Sequence, residues 1–461
     1  MTFYWVRVDD FLNKIKNYDI YFNECIKIYG ISQNPDTKDY IIILNSKYYE
    51  EYCLKCDEVY TNMKYKWCRS CEKNCLRENF TDWTYEKIDN FIQEMQIKIN
   101  HPDDIVFKWI PYNQFNNIKE IGKGGFATVY SAIWKDGPLH YNWNKRQYSR
   151  NSNKTVALKH LRNSQNMSEY FLNEVREYSI SKKSNILNIY GLSQCPDTKN
   201  YVMVLDYAEG GNFNNWMNEN YKIFYWLRKL NTLLNIINGL KEIHQKKMVH
   251  CDFHTGNILL LRKEISDLGN DILISDMGLC GEVGNIDNTN ETKIYGVMPY
   301  IAPEVLRGKP YRQAADIYSF GMIMYFAATG KQPFIDRAHD EFLALDICNG
   351  IRPELNEPEA PKCYIDLMKK CWDPNPNNRP NAVEIEELIR LFYNSCNPLL
   401  GRRNYFKAAE EYRKLHINSF EKIKQITHSQ AIYTSRFLNP FTKNIPQYNN
   451  NTDCLDCAIP D

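Results

Sequence analysis

The sequence predicts an α+β fold with a small cysteine-rich module ahead of its main globular part, and three observations predict it. Alternating apolar runs follow a glycine-rich hairpin, Ile121-Gly122-Lys123-Gly124-Gly125-Phe126, and recur at Val156-Ala157-Leu158-Lys159, as strands should. Helical spacing appears at Ile88, Phe91, Ile92, Met95 and Ile99, and again where Phe171, Glu174, Val175 and Tyr178 share one face. Two CxxC pairs, Cys53 with Cys56 and Cys68 with Cys71, are separated by eleven residues.

Composition narrows the class. At 461 residues the chain has room for two to four domains and a large core. A net charge of +1 argues against a general nucleic-acid binder or a membrane-surface protein. No apolar run reaches the roughly 18 residues that a spanning helix needs. The first residues, with Asp9 and Asp10 close behind, lack a signal peptide's layout. Fifteen cysteines in such a chain read as thiols and metal ligands, not as a disulfide framework. The expectation is a soluble, cytoplasmic protein.

Along the chain, residues 1–50 carry an internal duplicate. Residues 28–44 match residues 189–205 at a fixed offset, with eleven of seventeen identical. Both copies read as strand, Pro-Asp turn, strand. The first copy has no glycine-rich loop or lysine-bearing strand before it and should not bind nucleotide; it reads as a leftover hairpin or a docking element. Residues 51–100 form the next module, in which Cys53, Cys56, Cys68 and Cys71 suit a structural Zn²⁺ held by four thiolates. Metal binding would supply the folding energy that so short a segment lacks. Lys64-Tyr65-Lys66-Trp67 and Arg69 interleave bases with aromatics, as single-strand binders do. However, six cations and four anions lie between Cys53 and Phe80, and a tetrathiolate zinc adds about −2. RNA is therefore an unlikely partner, and protein docking or structural support the better reading. A helix over 85–99 ends at His101-Pro102.

The glycine-rich hairpin is followed by a strand, Val129 to Trp134, where a dinucleotide fold would need a helix. Glycines there let backbone amides approach phosphates. A polar insertion over about 136–154 precedes the strand whose one charge is Lys159. Glu174, on the inward face of a helix expected over 166–181, would be costly to bury unless it met a cation, and Lys159 is the obvious one. Further on, Asp252 precedes Asn257 by five residues, and Asp276 follows in a turn after Ile272-Leu273-Ile274. Asn257 and Asp276 could hold a divalent metal on a triphosphate while Asp252 faces an attacking hydroxyl, a division of labour that suits phosphoryl transfer.

With these motifs in order, residues 115–393 resemble a eukaryotic protein kinase domain, closest in style to the tyrosine-kinase-like group. The motifs are Gly122-x-Gly124, Val156-Ala157-Leu158-Lys159, Glu174, His250-Cys251-Asp252, Asn257 and Asp276-Met277-Gly278. Ala302-Pro303-Glu304, Asp316 to Gly321 and Arg379-Pro380 complete the set. The resemblance implies a β-rich N-lobe, an α-helical C-lobe, ATP with Mg²⁺, and a protein substrate. It implies that Leu205 gates the adenine pocket, that Asp206 to Ala208 form the hinge, and that Ile121, Val129, Ala157 and Leu259 sandwich the base. It also implies that Glu304 pairs with Arg379 and that Asp316 braces the catalytic loop.

Four departures from the family pattern qualify this. Ala127 stands at a usual glycine, and Cys251 at the usual Arg before the catalytic Asp. His254 stands where Ser/Thr kinases place a Lys, and Val297 where they place its Thr partner. Gly256 excludes the Arg that many tyrosine kinases carry. Ser/Thr specificity is the expectation, with a dual-specificity or tyrosine kinase, or a scaffold that binds without transfer, as alternatives. Lacking the Arg, activity should not depend on phosphate at Thr289, Thr292 or Tyr295, and control should come through residues 1–110, a possible protein-partner region. Residues 394–461 read as a tail with one amphipathic helix (Phe406, Ala409, Tyr412, Leu415) and a polar end bearing Cys454 and Cys457.

Overall fold

The computed structural model describes residues 4–5, 28–37, 40–44, 51–53, 55–56, 58–71, 74, 86–124, 127–144, 147–161, 164–165, 169–178, 184–263, 271–279, 281–282, 293–396, 405–416, 427–443 and 445. Gly125, Phe126, Thr289, Thr292, Cys454 and Cys457 lie outside the described residues. The chain divides into two compact units, residues 1–107 with 138–151, and residues 108–137 with 152–461.

In the first unit, strands β1 (Tyr4–Trp5), β2 (Ile28–Gln33) and β3 (Tyr40–Leu44) form an antiparallel sheet in the order β1-β3-β2. The turn between β2 and β3 is closed by Asn34, whose Oδ1 accepts from the Asp36 amide at 2.9 Å, an Asx turn. Short bridges, Tyr52 with Val59 and Asn62 with Trp67, fold the cysteine module. Helix α1 (Glu86–Ile97) buries the expected stripe of Ile88, Phe91, Ile92 and Met95, with Ile99 beyond its end. Arg69 donates from Nε to the Ile99 carbonyl at 2.9 Å and from a terminal nitrogen to the Ile97 carbonyl at 2.8 Å. A cation at the carbonyls of a helix end is favoured by the helix dipole. Trp67 is buried too. Two of the residues that suggested a nucleic-acid face are thus committed to folding the module.

The second unit opens with β4 (Lys108–Trp109), β5 (Phe115–Lys123) and β6 (Ala127–Trp134). The polar insertion forms a hairpin, β7 (Leu139–Asn142) with β8 (Gln147–Arg150), that belongs to the first unit. Then β9 (Lys154–Leu161), helix α2 (Glu169–Glu177), β10 (Ile189–Gln194) and β11 (Tyr201–Asp206) follow. The sheet order is β4-β10-β11-β9-β6-β5. Cross-strand pairing sets Val129 opposite Lys159, Ala157 opposite Leu205 and Lys159 opposite Met203. Opposed residues point to the same side of a sheet, and so do residues two apart on one strand. Val129, Ala157, Lys159 and Leu205 therefore share one face.

The helical half follows. It comprises β12 (Gly211–Asn212), α3 (Phe213–Asn220), α4 (Trp226–Gln245), β13 (Met248–Val249), β14 (Ile258–Leu260), β15 (Ile272–Ile274), β16 (Gly281–Glu282) and β17 (Tyr295–Gly296). After these come α5 (Pro303–Leu306), α6 (Gln313–Thr329), α7 (Glu341–Cys348), α8 (Lys362–Cys371), α9 (Ala382–Cys396) and α10 (Lys407–His416). Helix α6 is apolar on all sides and almost wholly buried, as a central helix should be. It stops at Gly330, whose left-handed φ of +72° closes the end. Just before α10, Phe406 packs on Trp226 with ring centres 5.0 Å apart, and within the helix Ala409 is buried. Leu415, expected on that stripe, is 81% exposed. Arg413 occupies the inward face instead, paired with Glu410 and donating to the Lys222 carbonyl at 3.1 Å. Last come β18 (Arg436–Phe437) and α11 (Asn439–Thr442).

Candidate active site

Two clusters of side chains make up the site in the second unit. The first is centred on Lys159. Its Nζ donates to Glu174 Oε1 at 2.6 Å and to Asp276 Oδ1 at 2.8 Å, with the Tyr178 hydroxyl at 3.4 Å. Burial works against the lysine's charge, but Asp276, Tyr178 and Glu174 outweigh it and hold its pKa well above the ordinary value. Asp276 responds in the opposite sense: burial raises its pKa, Lys159 overcomes that, and the carboxyl sits below the usual range. The Asp276 backbone is left-handed, φ +59°, which turns its side chain out of the strand direction of β15. Gly278 completes the turn. A Cβ there would lie 3.1 Å from the Glu174 carboxylate, so any larger residue would make that side chain shift by a few tenths of an ångström.

The second cluster is the loop between β13 and β14. Asn257 donates from Nδ2 to the Asp252 carbonyl at 2.9 Å and to Asp252 Oδ2 at 3.3 Å. That leaves its Oδ1 as an acceptor. Asp252 Oδ1 is buried without a hydrogen-bond partner, and so is His254 Nε2, 3.5 Å from it. The loop is braced from α6: Asp316 accepts from the amides of His250 at 2.9 Å and Cys251 at 3.2 Å, and contacts His244 Nε2 at 2.9 Å. Ser275 ties the two clusters together, accepting at its carbonyl from His250 Nε2 at 3.1 Å and donating from its amide to the Asn257 carbonyl at 2.8 Å.

At the glycine-rich hairpin, a Cβ on Gly122 would meet nothing within 4 Å, so the space beside the backbone is open. Ile121 is exposed, Val129 and Leu259 are half-buried, and Ala157 and Leu205 are buried. The Asp206 carboxylate is already engaged by Asn188 Nδ2 at 2.9 Å, Lys154 at 3.1 Å and the Tyr190 hydroxyl. The Asp206 amide donates to the Asn188 carbonyl at 3.1 Å, and the Ala208 carbonyl accepts from the Gly211 amide at 3.0 Å. Glu304 and Arg379 form a two-pronged pair at 2.7 and 2.8 Å under α5.

The profile of the family described as protein tyrosine and serine/threonine kinase matches residues 115–389. The chain belongs to the protein kinase family. Human mitogen-activated protein kinase kinase kinase 7 is 26% identical over 355 residues, covering 75% of this chain and 53% of that protein. A putative serine/threonine-protein kinase/receptor of Acanthamoeba polyphaga mimivirus is 30% identical over 288 residues, covering 62% of this chain and 16% of the relative. A probable serine/threonine-protein kinase of Dictyostelium discoideum is 27% identical over 286 residues, covering 61% of this chain and 20% of the relative. The chain spans little more than half the length of the mammalian relatives it matches, and less of the others. Among the described residues no helix is long and apolar enough to cross a membrane.

Within this kinase domain the departures from the family pattern acquire physical reasons. Cys251 is buried, left-handed at φ +67°, and its thiol lies against the Val249 carbonyl. Burial, then the carboxylates of Asp316 and Asp252, push that thiol well up, so it fills space and is not a reactive group. His254 accepts from the Gly256 amide at Nδ1, 3.0 Å. A Cβ on Gly256 would lie 2.6 Å from the His254 ring. Gly256 and His254 are thus one unit, with the His254 ring bonded to the backbone. Val297 is buried.

One functional segment escaped the sequence reading. Residues 427–443, in the stretch that read as a tail with one amphipathic helix, lie on the helical half, and the Ser435 hydroxyl donates to Asp252 Oδ2 at 2.6 Å. A short polar stretch, Tyr433-Thr434-Ser435-Arg436, carries no periodicity by which it could have been found.

In the first unit the four cysteines converge: the Sγ atoms of Cys53, Cys56, Cys68 and Cys71 all lie within 4.8 Å of one another. Cys53 and Cys71 are 3.6 Å apart, and Cys56 and Cys68 3.3 Å. All four are free thiols at distances too long for disulfides. Burial, reinforced by the neighbouring thiols, pushes Cys68 up to about 11, whereas at Cys53 burial is outweighed by backbone and thiol hydrogen bonds, which lower it.

Proposed function

We propose that the chain transfers the γ-phosphoryl group of ATP to Ser/Thr hydroxyls of proteins. The observation that carries this is the clasp of Lys159 by Glu174 and Asp276, tied through Ser275 to the Asp252–Asn257 loop. In this reading Ile121, Val129, Ala157, Leu205 and Leu259 enclose the adenine, and the backbone of Asp206 to Ala208 reads its edge. The amides from Gly122 to Gly124 and the Lys159 ammonium hold the phosphates. Asn257 Oδ1 and the Asp276 carboxylate would hold Mg²⁺, which when bound neutralises charge on the transferring group. Asp252 orients the acceptor hydroxyl and takes its proton. The three relatives described above whose names specify an acceptor class, or belong to a kinase cascade, include two serine/threonine-protein kinases, which supports that class for this chain. The four-cysteine cluster is the seat of a structural Zn²⁺, since its donor set and spacing suit a tetrahedral ion.

The test is labelled ATP with the purified chain and dephosphorylated casein as a generic acceptor. Asp252→Asn should reduce transfer by about 10²–10⁴-fold while sparing nucleotide affinity. Incorporation that ignores this substitution would leave a scaffold that binds without catalysing.

A further inference from the structure

The acceptor side of the site is filled by the chain's own residues 427–443. Immediately after Ser435 the backbone forms a strand: Arg436 pairs with Gly296 and Phe437 with Tyr295, antiparallel. The Leu438 amide donates to the Ile294 carbonyl at 2.8 Å, and the Ile294 amide donates to Asn439 Oδ1 at 2.7 Å. Leu438 is fully buried, and the rings of Phe437 and Tyr295 lie 5.2 Å apart. Upstream, the Tyr433 hydroxyl donates to the Pro333 carbonyl at 2.8 Å and the His428 amide to the Ile335 carbonyl at 2.9 Å. His339 Nδ1 accepts from the Ile432 amide at 3.0 Å. Anchors on both sides, with main-chain pairing in the middle, are how an extended peptide adds to an exposed strand.

The residue held at the centre of this arrangement is a serine. Its hydroxyl donates to the carboxylate oxygen that Asn257 also contacts. Ordinary packing does not require this, since a serine at a buried carboxylate could be replaced by water or by alanine. A proton donated to Asp252 is what an acceptor hydroxyl presents at the moment of transfer.

We infer that Ser435 is a phosphorylation site that the chain modifies in itself, and that residues 427–443 hold the acceptor site against other proteins until that transfer has taken place. This rests on the phosphoryl-transfer reading above. In the step, Ser435 Oγ forms a bond to the γ-phosphorus of ATP, and the bond to the β,γ-bridging oxygen breaks. ADP leaves with that electron pair, and the hydroxyl proton passes to the Asp252 carboxylate. The product carries a charge of about −1.5 to −2 beside Asp252. Like charges at hydrogen-bond distance in a buried loop repel, so the modified segment leaves and the groove opens.

The full chain, freshly dephosphorylated, is incubated with Mg²⁺ and labelled ATP, and its peptides are mapped by mass spectrometry. One phosphate should appear at Ser435, at a rate per molecule that does not change across a dilution series, because the acceptor is in the same chain. Casein phosphorylation should begin after a lag that preincubation with ATP removes. Ser435→Ala keeps the anchors but cannot accept, and should stay slow without relief. Leu438→Asp breaks the anchor and should show no lag, with a casein KM lowered about tenfold, as expected when an intramolecular competitor is removed. Casein phosphorylated from the outset with Ser435 unmodified would overturn the inference, as would a Ser435 rate proportional to enzyme concentration; both leave the kinase reading standing. If wild type and Leu438→Asp alike transfer phosphate neither to themselves nor to casein, the kinase reading itself fails, and this inference with it.

Discussion

The duplicated hairpins are one sequence folded twice, and they agree rung by rung. In the first unit Ile28 pairs with Leu44, Gly30 with Ile43, Ile31 with Ile42, Ser32 with Ile41 and Gln33 with Tyr40. In the second unit Ile189 pairs with Leu205, Gly191 with Val204, Leu192 with Met203, Ser193 with Val202 and Gln194 with Tyr201. Each has its irregularity at the same place, before the glycine. The turn and the alternation of apolar residues therefore determine the register, as expected where a one-residue slip would invert every side chain. What differs is the neighbour. Ile42 faces Tyr4 on a two-residue strand, whereas its counterpart Met203 faces Lys159 on an eight-residue strand. A hairpin of this kind is a scaffold, and the strand beside it decides whether chemistry follows.

That contrast can be sharpened first at the level of whole units. If zinc supports the first unit, chelation should remove one metal per chain, and the loss should approach the roughly 10–16 kcal/mol of structural zinc sites. Unfolding should be confined to the first unit, with ATP binding retained; Cys53→Ser should behave alike. Metal analysis together with circular dichroism reads the outcome. Freshly reduced protein without zinc breaks the comparison.

The next effect is at the neighbouring strand. Lys159→Met should cost about 10²–10³-fold in turnover, the usual loss for one preorganised charge, whereas Tyr4→Ala should leave turnover unchanged. The ion pair also predicts a pH dependence. The lowered Asp276 pKa means its contribution to stability is present above the ordinary carboxylate range and disappears as pH falls through the folded value. The raised Lys159 pKa means its contribution is present at and below about pH 10 and is lost only well above that. Wild type should therefore hold a plateau from about pH 5 to 9, and its margin over Lys159→Met should shrink under acid. A margin unchanged down to pH about 2 would show that the pair contributes nothing.

A smaller effect is expected at the shared glycine. In the second copy a Cβ on Gly191 would lie 1.8 Å from the Lys108 carbonyl oxygen of β4, and φ is +156°. Gly191→Ala should destabilise the second unit by about 1–3 kcal/mol, visible as a lower melting temperature. Smallest of all, Gly30→Ala should leave the second unit's unfolding free energy within about 0.5 kcal/mol of wild type, because that glycine belongs to the other unit.

Much of the site was legible because its residues are chemically conspicuous. A single lysine on an apolar strand, and a glutamate on the inward face of a helix, are each costly to bury alone, so each announced the other, and Lys159 and Glu174 lie 2.6 Å apart. Four cysteines at metal spacing converged for the same reason. The readings that needed amending were of surfaces. Leu415 fitted a helical stripe but faces solvent, because Arg413 satisfies two partners on the inward side. His254 stands where the family places a Lys, and its ring is taken up locally, with Nδ1 accepting from the Gly256 amide.

By itself, then, the sequence determined the strand-turn-strand form of both hairpins, the pairing of Lys159 with Glu174, the convergence of the four cysteines and the membership of the kinase family. All of these follow from local pattern or from charges and thiols that cannot be buried unpaired. Only the tertiary structure decided that Asp206 spends its carboxylate on Asn188, Lys154 and Tyr190, that the insertion after β6 joins the first unit, and that Ser435 reaches Asp252 across 183 positions of chain. A serine is neutral, small and tolerated anywhere, so its sequence context carries no cost that would reveal its partner. Its meaning comes from where the chain returns, and that is set by the sum of anchors such as Leu438, Tyr433 and the strand on Gly296, none of which is informative alone.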